Sequence, residues 1–489
     1  MAELVKSPIS KEARVIWSRR IRGFWEEYSH NKIGLVGLAL VILYALTAIL
    51  APVLTPYDPI EGRGLANGFA APEWVTILPQ HKDLPRTMEV PLIWAVKETS
   101  EFIDVIESGE DLLIQYIGSE NETQSVTFTT SFLYPYSAPE RFLFSFIWWT
   151  RNITDAEYSY DIFIINPAGS RFIFWATYQY MPAIEFSSKA VVWESTTFYS
   201  HALPKFILER LQVTEGTKIP EKIFVEKGEY KVELRMRFRP KSPNGTMELH
   251  FTDTKIKILG LVHGILGTDS VGRDVFSQLI YGARISLAVG LFAAVTATTI
   301  GIAVGVIAAY SSSAVDEAMM RTVDILLCLP VLPLLLGLIV IFGTSVWYLV
   351  LLIAVFGWQG LSRIIRSRVL SLKEMPFIEC ARAAGGSKFY IMLKHMVPNV
   401  LPVALASMIL SVPAAILTEA SISFIGLGDP TAPTWGRMLH YAHTQGGFFH
   451  LAWWWIIPPG AAITILTLAF VFIGHAVDEI VNPRLRRRR

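Results

Sequence analysis

Six apolar stretches of about twenty residues dominate this chain, near 33–54, 285–310, 322–343, 345–364, 399–421 and 451–474. About 20 such residues in a helix cross the ~30 Å hydrocarbon core of a bilayer. Lipid offers the backbone no hydrogen-bond partners, so an isolated apolar segment at that depth must be helical. The fold class expected is an all-α polytopic membrane protein with six transmembrane helices. Composition agrees, with 52% of the 489 residues apolar and only 17% charged, where soluble domains carry about a quarter charged. The fourth stretch is the weakest, because Gly357, Gln359 and Arg363 dilute its second half.

Lys and Arg near short loops stay on the cytoplasmic side. Before the first stretch stand Lys6, Lys11, Arg14, Arg19, Arg20, Arg22 and Lys32 against four acidic residues, which puts the N-terminus inside. Six crossings return the C-terminus to that side, where Arg484 and Arg486 to Arg489 form a basic tail that anchors the last span to lipid headgroups rather than binding nucleic acid. The loop after the fourth span, carrying Arg363, Arg366, Arg368, Lys373, Arg382, Lys388 and Lys394, also falls inside. The first stretch exceeds the 7–15 residue core of a cleavable signal and reads as a retained anchor. The expected location is the cell membrane.

Residues 58–262 then lie outside, with 20 Lys and Arg against 27 Asp and Glu; the remainder holds 23 against 15. The near-neutral total hides an acidic exterior and a basic interior. Period-two alternation in 228–240 and 245–258, and the strand formers of 171–180, predict an inserted, mainly β extracytoplasmic domain, read as a sandwich. Cys328 and Cys380 both lie elsewhere, so packing alone holds it, with Trp148, Trp149, Trp175 and Trp193 as anchors. Three Asn-x-Thr sequons, at Asn121, Asn152 and Asn244, fall in this insert and are glycosylation candidates in a host that glycosylates. The domain organisation expected is 1–57 as N-terminal segment and first span, 58–262 as insertion, and 263–489 as a five-helix core.

Residues 376–402 read PFIECARAAGGSKFYIMLKHMVPNVLP. Pro376 opens a helix, Gly385 ends it, and Ser387 caps a second that runs to Pro398. Glu379, Cys380, Ala381, Gly385 and Pro398 resemble the EAA loop of permease subunits of ATP-binding-cassette importers, with Cys380 in place of an Ala and His395 in place of an Ile. GTDSVGRDVFSQLIYGARISL (267–287) and SFIGLGDPTAPTWGRML (423–439) resemble the C-type permease of dipeptide and oligopeptide importers, in that family's order. The likeness covers roughly half of the chain and leaves 58–262 unaccounted for. It implies the type I importer permease fold, coupling through loop 374–398 by Glu379, Ala381, Arg382 and Gly385, and partners: a second, homologous permease, two ATPases and an extracytoplasmic solute-binding protein. ATP and Mg would belong to those ATPases. This chain has no GxxxxGK[ST] loop to hold a nucleotide, so it reads as a transport subunit without cofactor, not an enzyme.

Other candidates are weaker. Glu419 is an ionisable residue in a span, at the end of it by helical rise, and with Asp269, Arg273 and Asp274 is a possible gate or pathway residue; the last three also read as local ion pairs or caps. Asp324 lies near an inner span end. His440, His443 and His450 form the one histidine cluster, a conceivable metal site but more simply a polar loop beside Trp453 to Trp455, so no metal is assigned. Gly301 and Gly305 allow close helix approach. Relatives of peptide permeases also carry oligosaccharides or nickel, and those substrates stay open. The alternative of a different class is a membrane-anchored external receptor or hydrolase, for which 58–262 shows no clustered nucleophile, base and orienter.

Overall fold

The computed structural model describes residues 22–108, 111–118, 122–177, 180–182, 194–199, 208–209, 218–242 and 244–481. The chain divides into two compact units, Glu61–Asp274 and a helical unit made of 1–60 with 275–489. The expected division at 262 therefore falls later: GTDSVGRD belongs to the β unit.

In the helical unit α1 is Lys32–Leu54, begun by Asn31, whose side chain accepts from the Gly34 N–H. After the β unit come α2 (Val275–Tyr310), α3 (Ser313–Cys328), α4 (Val331–Phe342), α5 (Val346–Val355) and α6 (Gln359–Lys373). A hairpin helix α7 (Pro376–Ala383) and α8 (Lys388–Ile391) lead through a π-turn, Met392–Met396, into α9 (Val397–Ile422). Then follow α10 (Trp435–Thr444) and α11 (Trp453–Val481).

Five of the described helices are long and apolar enough to cross a membrane, or six if the bent pair α3–α4 counts as one span. The third span expected over 322–343, with Pro330 and Pro333 as its bending points, is sharply bent: α3 and α4 meet at 88°. Pro330 has no N–H to continue the ladder and forces the preceding residue out of the helical region; Leu329 is extended, at φ −75° and ψ 136°. The fourth stretch breaks at Phe356–Trp358, where Gly357 weakens it, and resumes as the polar α6.

Glycines set how closely the helices approach. A Cβ on Gly305 would lie 2.6 Å from the Ser362 carbonyl, and one on Gly301 3.1 Å from Leu361, so α2 meets α6 through the GxxxG pair. Likewise Gly37 of α1 faces the Ala469 carbonyl of α11, and Gly290 of α2 faces Val412 and Ile416 of α9.

The β unit is a sandwich of two antiparallel sheets. One has the order β10 (Glu194–Tyr199), β6 (Arg141–Thr154), β12 (Thr246–Leu259), β4 (Asp111–Ile117), β3 (Ile103–Ser108), with β1 (Met88–Pro91) also on β12; the other has β2 (Ala95–Thr99), β5 (Gln124–Tyr134), β11 (Gly228–Pro240), β7 (Ala156–Ile165), β8 (Arg171–Ala176), with β9 (Met181–Pro182) on β7. The central strands are β6 (Arg141–Thr154) and β12 (Thr246–Leu259) in the first, and β11 (Gly228–Pro240) in the second. In β11 the alternation predicted for 228–240 is complete: Tyr230, Val232, Leu234, Met236 and Phe238 are buried. Its outer face carries Glu233, which Lys97 (2.6 Å) and Arg171 (2.8 Å) pair although Glu233 itself is buried. The core between the sheets mixes Phe and Tyr with Leu, Ile and Val, with Phe142, Phe144 and Phe146 from β6 among Phe174, Phe224 and Tyr230. Trp148 and Trp175 are only partly buried against it, and Trp149 stacks on His250 with centroids 4.8 Å apart. Trp193 and Asn121 lie outside the described residues, Asn152 is in β6, and Asn244 is exposed beside the turn into β12.

Both ends of the sandwich enter one clasp. Ala71 and Val262 form a bridge; the Ala71 N–H donates to Leu261 and its carbonyl accepts from His263, both at 2.8 Å. Thr268 is buried and donates to the Asn67 carbonyl (2.6 Å) while accepting from the Ala70 N–H (2.9 Å). Gly272, at φ +78°, leaves no room for a Cβ against the Ala66 carbonyl.

Replacing the fully buried Phe142 or Phe238 by Ala is expected to cost about 3–5 kcal/mol of sandwich stability, read as a shifted urea midpoint of a 61–274 fragment. Burial holds His263 below the ordinary histidine pKa, against the opposing pull of Asp274, whose carboxylate is 3.6 Å away. The unfolded chain then binds the proton more readily, so this contribution is complete above an unfolded pKa of about 6.5 and is lost as pH falls below it. The fragment's urea midpoint is expected to fall between about pH 7.5 and about pH 5.5, and to fall less in His263→Gln.

Candidate functional site

The hairpin at 374–398 is built by local rules. Pro376 stands at the first helical position of α7, where its missing N–H is of no consequence, after an extended Met375. The helix ends in a Schellman motif: Gly385 takes φ +83°, its N–H donates to Arg382, and the Gly386 N–H reaches back to Ala381, both at 3.0 Å. Ser387 then caps α8, its hydroxyl accepting from the Tyr390 N–H at 3.2 Å.

The expectation that the second helix stops at Pro398 is not met. It continues through the π-turn, in which the Val397 N–H bonds to the Met392 carbonyl, and on into α9. The wide turn absorbs the donor Pro398 lacks, and the Asn399 side chain donates to the His395 carbonyl at 2.7 Å. A stretch read as loop plus span is therefore one helical run of 40 residues, Lys388–Leu427, interrupted by the π-turn and by a kink at Gly426.

One apolar cluster seats the hairpin. Ile378 of α7, Ile391 of α8 and Met396 of the π-turn are buried with Tyr310 at the end of α2 and Ile365 and Val369 of α6, and Ala381 packs against them. Glu379 is exposed, beside the exposed apolar residues Phe377, Phe389, Tyr390 and Leu393. Arg382 lies over the Tyr310 ring, 6.0 Å from its centroid, so it holds α7 to α2. Exposed apolar side chains grouped on a protruding hairpin mark an interaction surface.

Ion pairs tie α3 to the same platform. Arg366 makes a bidentate contact with Asp316, both bonds 2.6 Å, and Arg363 pairs with Asp324. Asp316 went unnoticed in the sequence, though Arg363 and Arg366 stand three apart on one face of α6 and call for acidic partners.

The other candidates do not come together as one site. Asp269 and Arg273 form a buried ion pair at 2.6 Å, and Asp269 also accepts from the Arg273 and Val271 N–H groups; Asp274 faces His263. All three belong to the clasp of the β unit. Glu419 lies in the last turn of α9, where the helical rise places it, and is buried there. Ser423 donates to it at 2.6 Å, and Thr434 is a second hydroxyl partner. Thr434 also caps α10, accepting from the Arg437 N–H, so Glu419 joins α9 to α10.

Within this unit the second and third matched segments meet. The indole of Trp435 is fully buried, donates to the Leu279 carbonyl at 2.9 Å, and lies where a Cβ on Gly282 would come within 2.6 Å. Gly426, at φ +98°, packs on His440, whose Nδ1 contacts the Phe424 carbonyl at 2.8 Å. That histidine is thus engaged in holding the turn, and among the described residues no three His, Cys, Asp or Glu side chains gather as a metal site.

Residues 301–487 match the family described as binding-protein-dependent transport system inner membrane component, and residues 20–72 match the N-terminal transmembrane domain of oligopeptide transport permease C. The first of these takes in the hairpin and both hydroxyl partners of Glu419; the second ends beside the Ala71–Val262 bridge. A putative peptide permease of Brucella suis is 39% identical over 219 residues, 45% of this chain and 72% of the relative. The dipeptide transport system permease protein DppC of Bacillus subtilis is 36% identical over 222 residues, covering 45% and 69%. The glutathione transport system permease protein GsiD of Pectobacterium atrosepticum is 34% identical over 223 residues, covering 45% and 73%. The protein is a transport subunit rather than an enzyme, and it belongs to the C-type permeases of peptide ABC importers, a branch of the binding-protein-dependent inner-membrane components.

Proposed function

We propose that this chain is one of two unlike permease subunits of an importer of di- or oligopeptides, together enclosing the pathway across the cell membrane. Two separate ATPases bind ATP and Mg, one of them docking on α7, and an external solute-binding protein delivers the substrate. The observation that carries this reading is the hairpin: an exposed Glu379 among exposed Phe377, Phe389, Tyr390 and Leu393, on a helix seated against the ends of α2 and α6. A short helix of this kind fits a groove on a partner, and closure of two ATPases then pushes on the helices behind it. Peptide as the substrate class is supported by the names of the relatives, one a dipeptide and one a glutathione permease. The basic residues before α1 and after α4–α5 favour both termini and the hairpin on the cytoplasmic side.

The sandwich, in this reading, stands outside and either docks the binding protein or covers the external mouth. Its position in the chain, directly before the α2 span, supports that role. Glycan attachment at Asn121, Asn152 and Asn244 would agree with such placement.

Affinity purification of the full chain from its host membrane tests the assembly. Wild type is expected to bring two ATPases, a second permease and a binding protein, and Glu379→Ala to lose at least about tenfold of the ATPase signal, a change of ~1.4 kcal/mol, while keeping the second permease. Retention of the ATPases by the variant would remove Glu379 from the contact. Deleting residues 73–259 with a short Gly/Ser linker spares the clasp at Ala71 and Val262 and is expected to leave a folded, ATPase-bound complex with impaired uptake; unimpaired uptake and unchanged affinity for the binding protein would sink the docking and covering roles.

A further inference from the structure

Between α10 and α11 the chain makes a compact knob over residues 445–452, whose apolar side chains are exposed among the described residues. Phe449 is 92% exposed and Leu451 78%, with Phe448 and Trp453 exposed on either side of them. The backbone beneath is tied down. The Gly447 N–H donates to the Ala442 carbonyl and the Ala452 N–H to that of Gly447, both at 2.9 Å, while His450 donates to Gly446 and Leu451 to Phe448. A Cβ on Gly447 would come within 2.7 Å of the Ala442 carbonyl, so the knob is pressed onto the end of α10. Leu451 takes φ +51°, a left-handed conformation that is costly for a bulky side chain. A fixed, strained loop that displays Phe and Leu is an interaction surface and not a solvated linker.

Charge, continuity and depth identify what that surface meets. From Met438 to Val477 the chain has no Asp, Glu, Lys or Arg, so the knob shares the uncharged character of the span that follows it. A face that docks a protein takes its register from charges around it, and the knob supplies none. On α11 the exposed residues Trp453, Ile457, Ile465 and Leu468 fall on one face of the helix, and the knob caps that apolar stripe. Counting back from Asp478, the first charge along α11, about 20 residues at 1.5 Å cross ~30 Å of hydrocarbon and end near Pro458. Trp453 then lies five residues farther on, about 7 Å beyond that edge. This is the headgroup layer of a bilayer ~40–45 Å thick in all.

We propose that this knob is a membrane-interface anchor, with Phe448, Phe449, Leu451 and Trp453 set into the lipid surface at this end of α11. Aromatic side chains favour that layer, and a loop whose backbone bonds to itself can enter it without water. The consequence falls on α10, which is then held at both ends. At its start Trp435 donates to α2 and Thr434 meets Glu419; at its finish the lipid surface fixes its depth. The anchor requires only that α11 span the membrane; it does not depend on the substrate, on the ATPase contact or on which side of the membrane the knob lies.

The test is fluorescence quenching on the full-length chain, with the subunits that accompany it, in phosphatidylcholine nanodiscs whose two faces are both open to solvent. The native cysteines are exposed and are replaced by Cys328→Ser and Cys380→Ser, after which Phe448→Cys carries a bimane. Phe448 is already 53% exposed, so the label leaves the packing intact. A lipid nitroxide near the headgroup is expected to quench the bimane at least about twofold more than one at the acyl terminus, as for a group about 5–10 Å into the headgroup and acyl boundary, and aqueous iodide is expected to reach it poorly. Adding Phe449→Asp with Leu451→Asn is expected to release the label to iodide; Asn accepts the left-handed conformation of Leu451, so the loop keeps its fold. Free access of iodide before those two changes would mean a solvated loop and overturn the proposal. Shielding from iodide and from both nitroxides would make the knob a protein contact and overturn it equally. So would an unaltered quenching pattern in Phe449→Asp with Leu451→Asn.

Discussion

The contact on which the helical unit depends is the one between Trp435 and Gly282. An indole can sit on α2 and donate to the Leu279 carbonyl only where α2 offers no side chain. That contact brings α10 onto α2, and α10 in turn presents Thr434 to Glu419, closing a triangle of α2, α9 and α10. Farther along α2 the same device recurs: Gly290 admits Val412 and Ile416, Gly301 admits Leu361, and Gly305 touches the backbone of Ser362. The helix is gripped at four levels along its 36 residues. Tightly packed helices have few intermediate arrangements, so displacement at one end of α2 is passed to the other instead of being absorbed on the way.

The β unit follows a different rule. A sandwich whose central strands β6 and β12 are 14 residues long, with an apolar core rich in Phe and Tyr, holds together without disulfides, and its entry and exit segments are hydrogen-bonded to each other before the sheets begin. An insertion whose ends already meet adds little closure entropy to the host. That accounts for a polypeptide of this size entering a membrane permease beside residue 72, where the match to the N-terminal family domain stops. The clasp uses Thr268, Asp269, Arg273 and Gly272, which the sequence presents as part of the permease; here they close the base of the sandwich.

What could be read from the sequence divides along local and non-local lines. Strand β11 runs over the 228–240 segment named from its alternation, and α7 begins at Pro376 and ends before Gly385 as its caps dictate, since both follow from neighbours in the chain. The bend at Pro330 was visible as a proline but not as an 88° turn, because its size depends on what α3 and α4 pack against. Of the tryptophans named as core or surface anchors, Trp148 and Trp175 pack against the edge of the core, while Phe142, Phe144, Phe146, Phe174 and Phe238, with Trp94, are buried within it. Counting helical rise put Glu419 at a span end, where it lies; its second hydroxyl partner, Thr434, is fifteen residues on and caps another helix. The Asp316–Arg366 pair escaped for the same reason, with fifty residues between the partners.

The hairpin connects unequally to its two sides, and this asymmetry would give the proposed coupling its direction. On one side Ile378, Ile391 and Met396 are locked among Tyr310, Ile365 and Val369, with Arg382 over the Tyr310 ring. On the other, the link to α9 is a π-turn followed by Pro398 and Pro402, where the i→i−4 ladder is interrupted. A π-turn and two prolines make a compliant joint, whereas a packed apolar cluster resists shear. Under the proposed coupling, a push on α7 would travel first into α2 and α6, while α9 would yield at its root. Since α2 is joined through Gly282 to Trp435 and so to the Glu419 triangle, the far end of the bundle would then receive the displacement through α2 rather than through the helix that carries the hairpin in sequence.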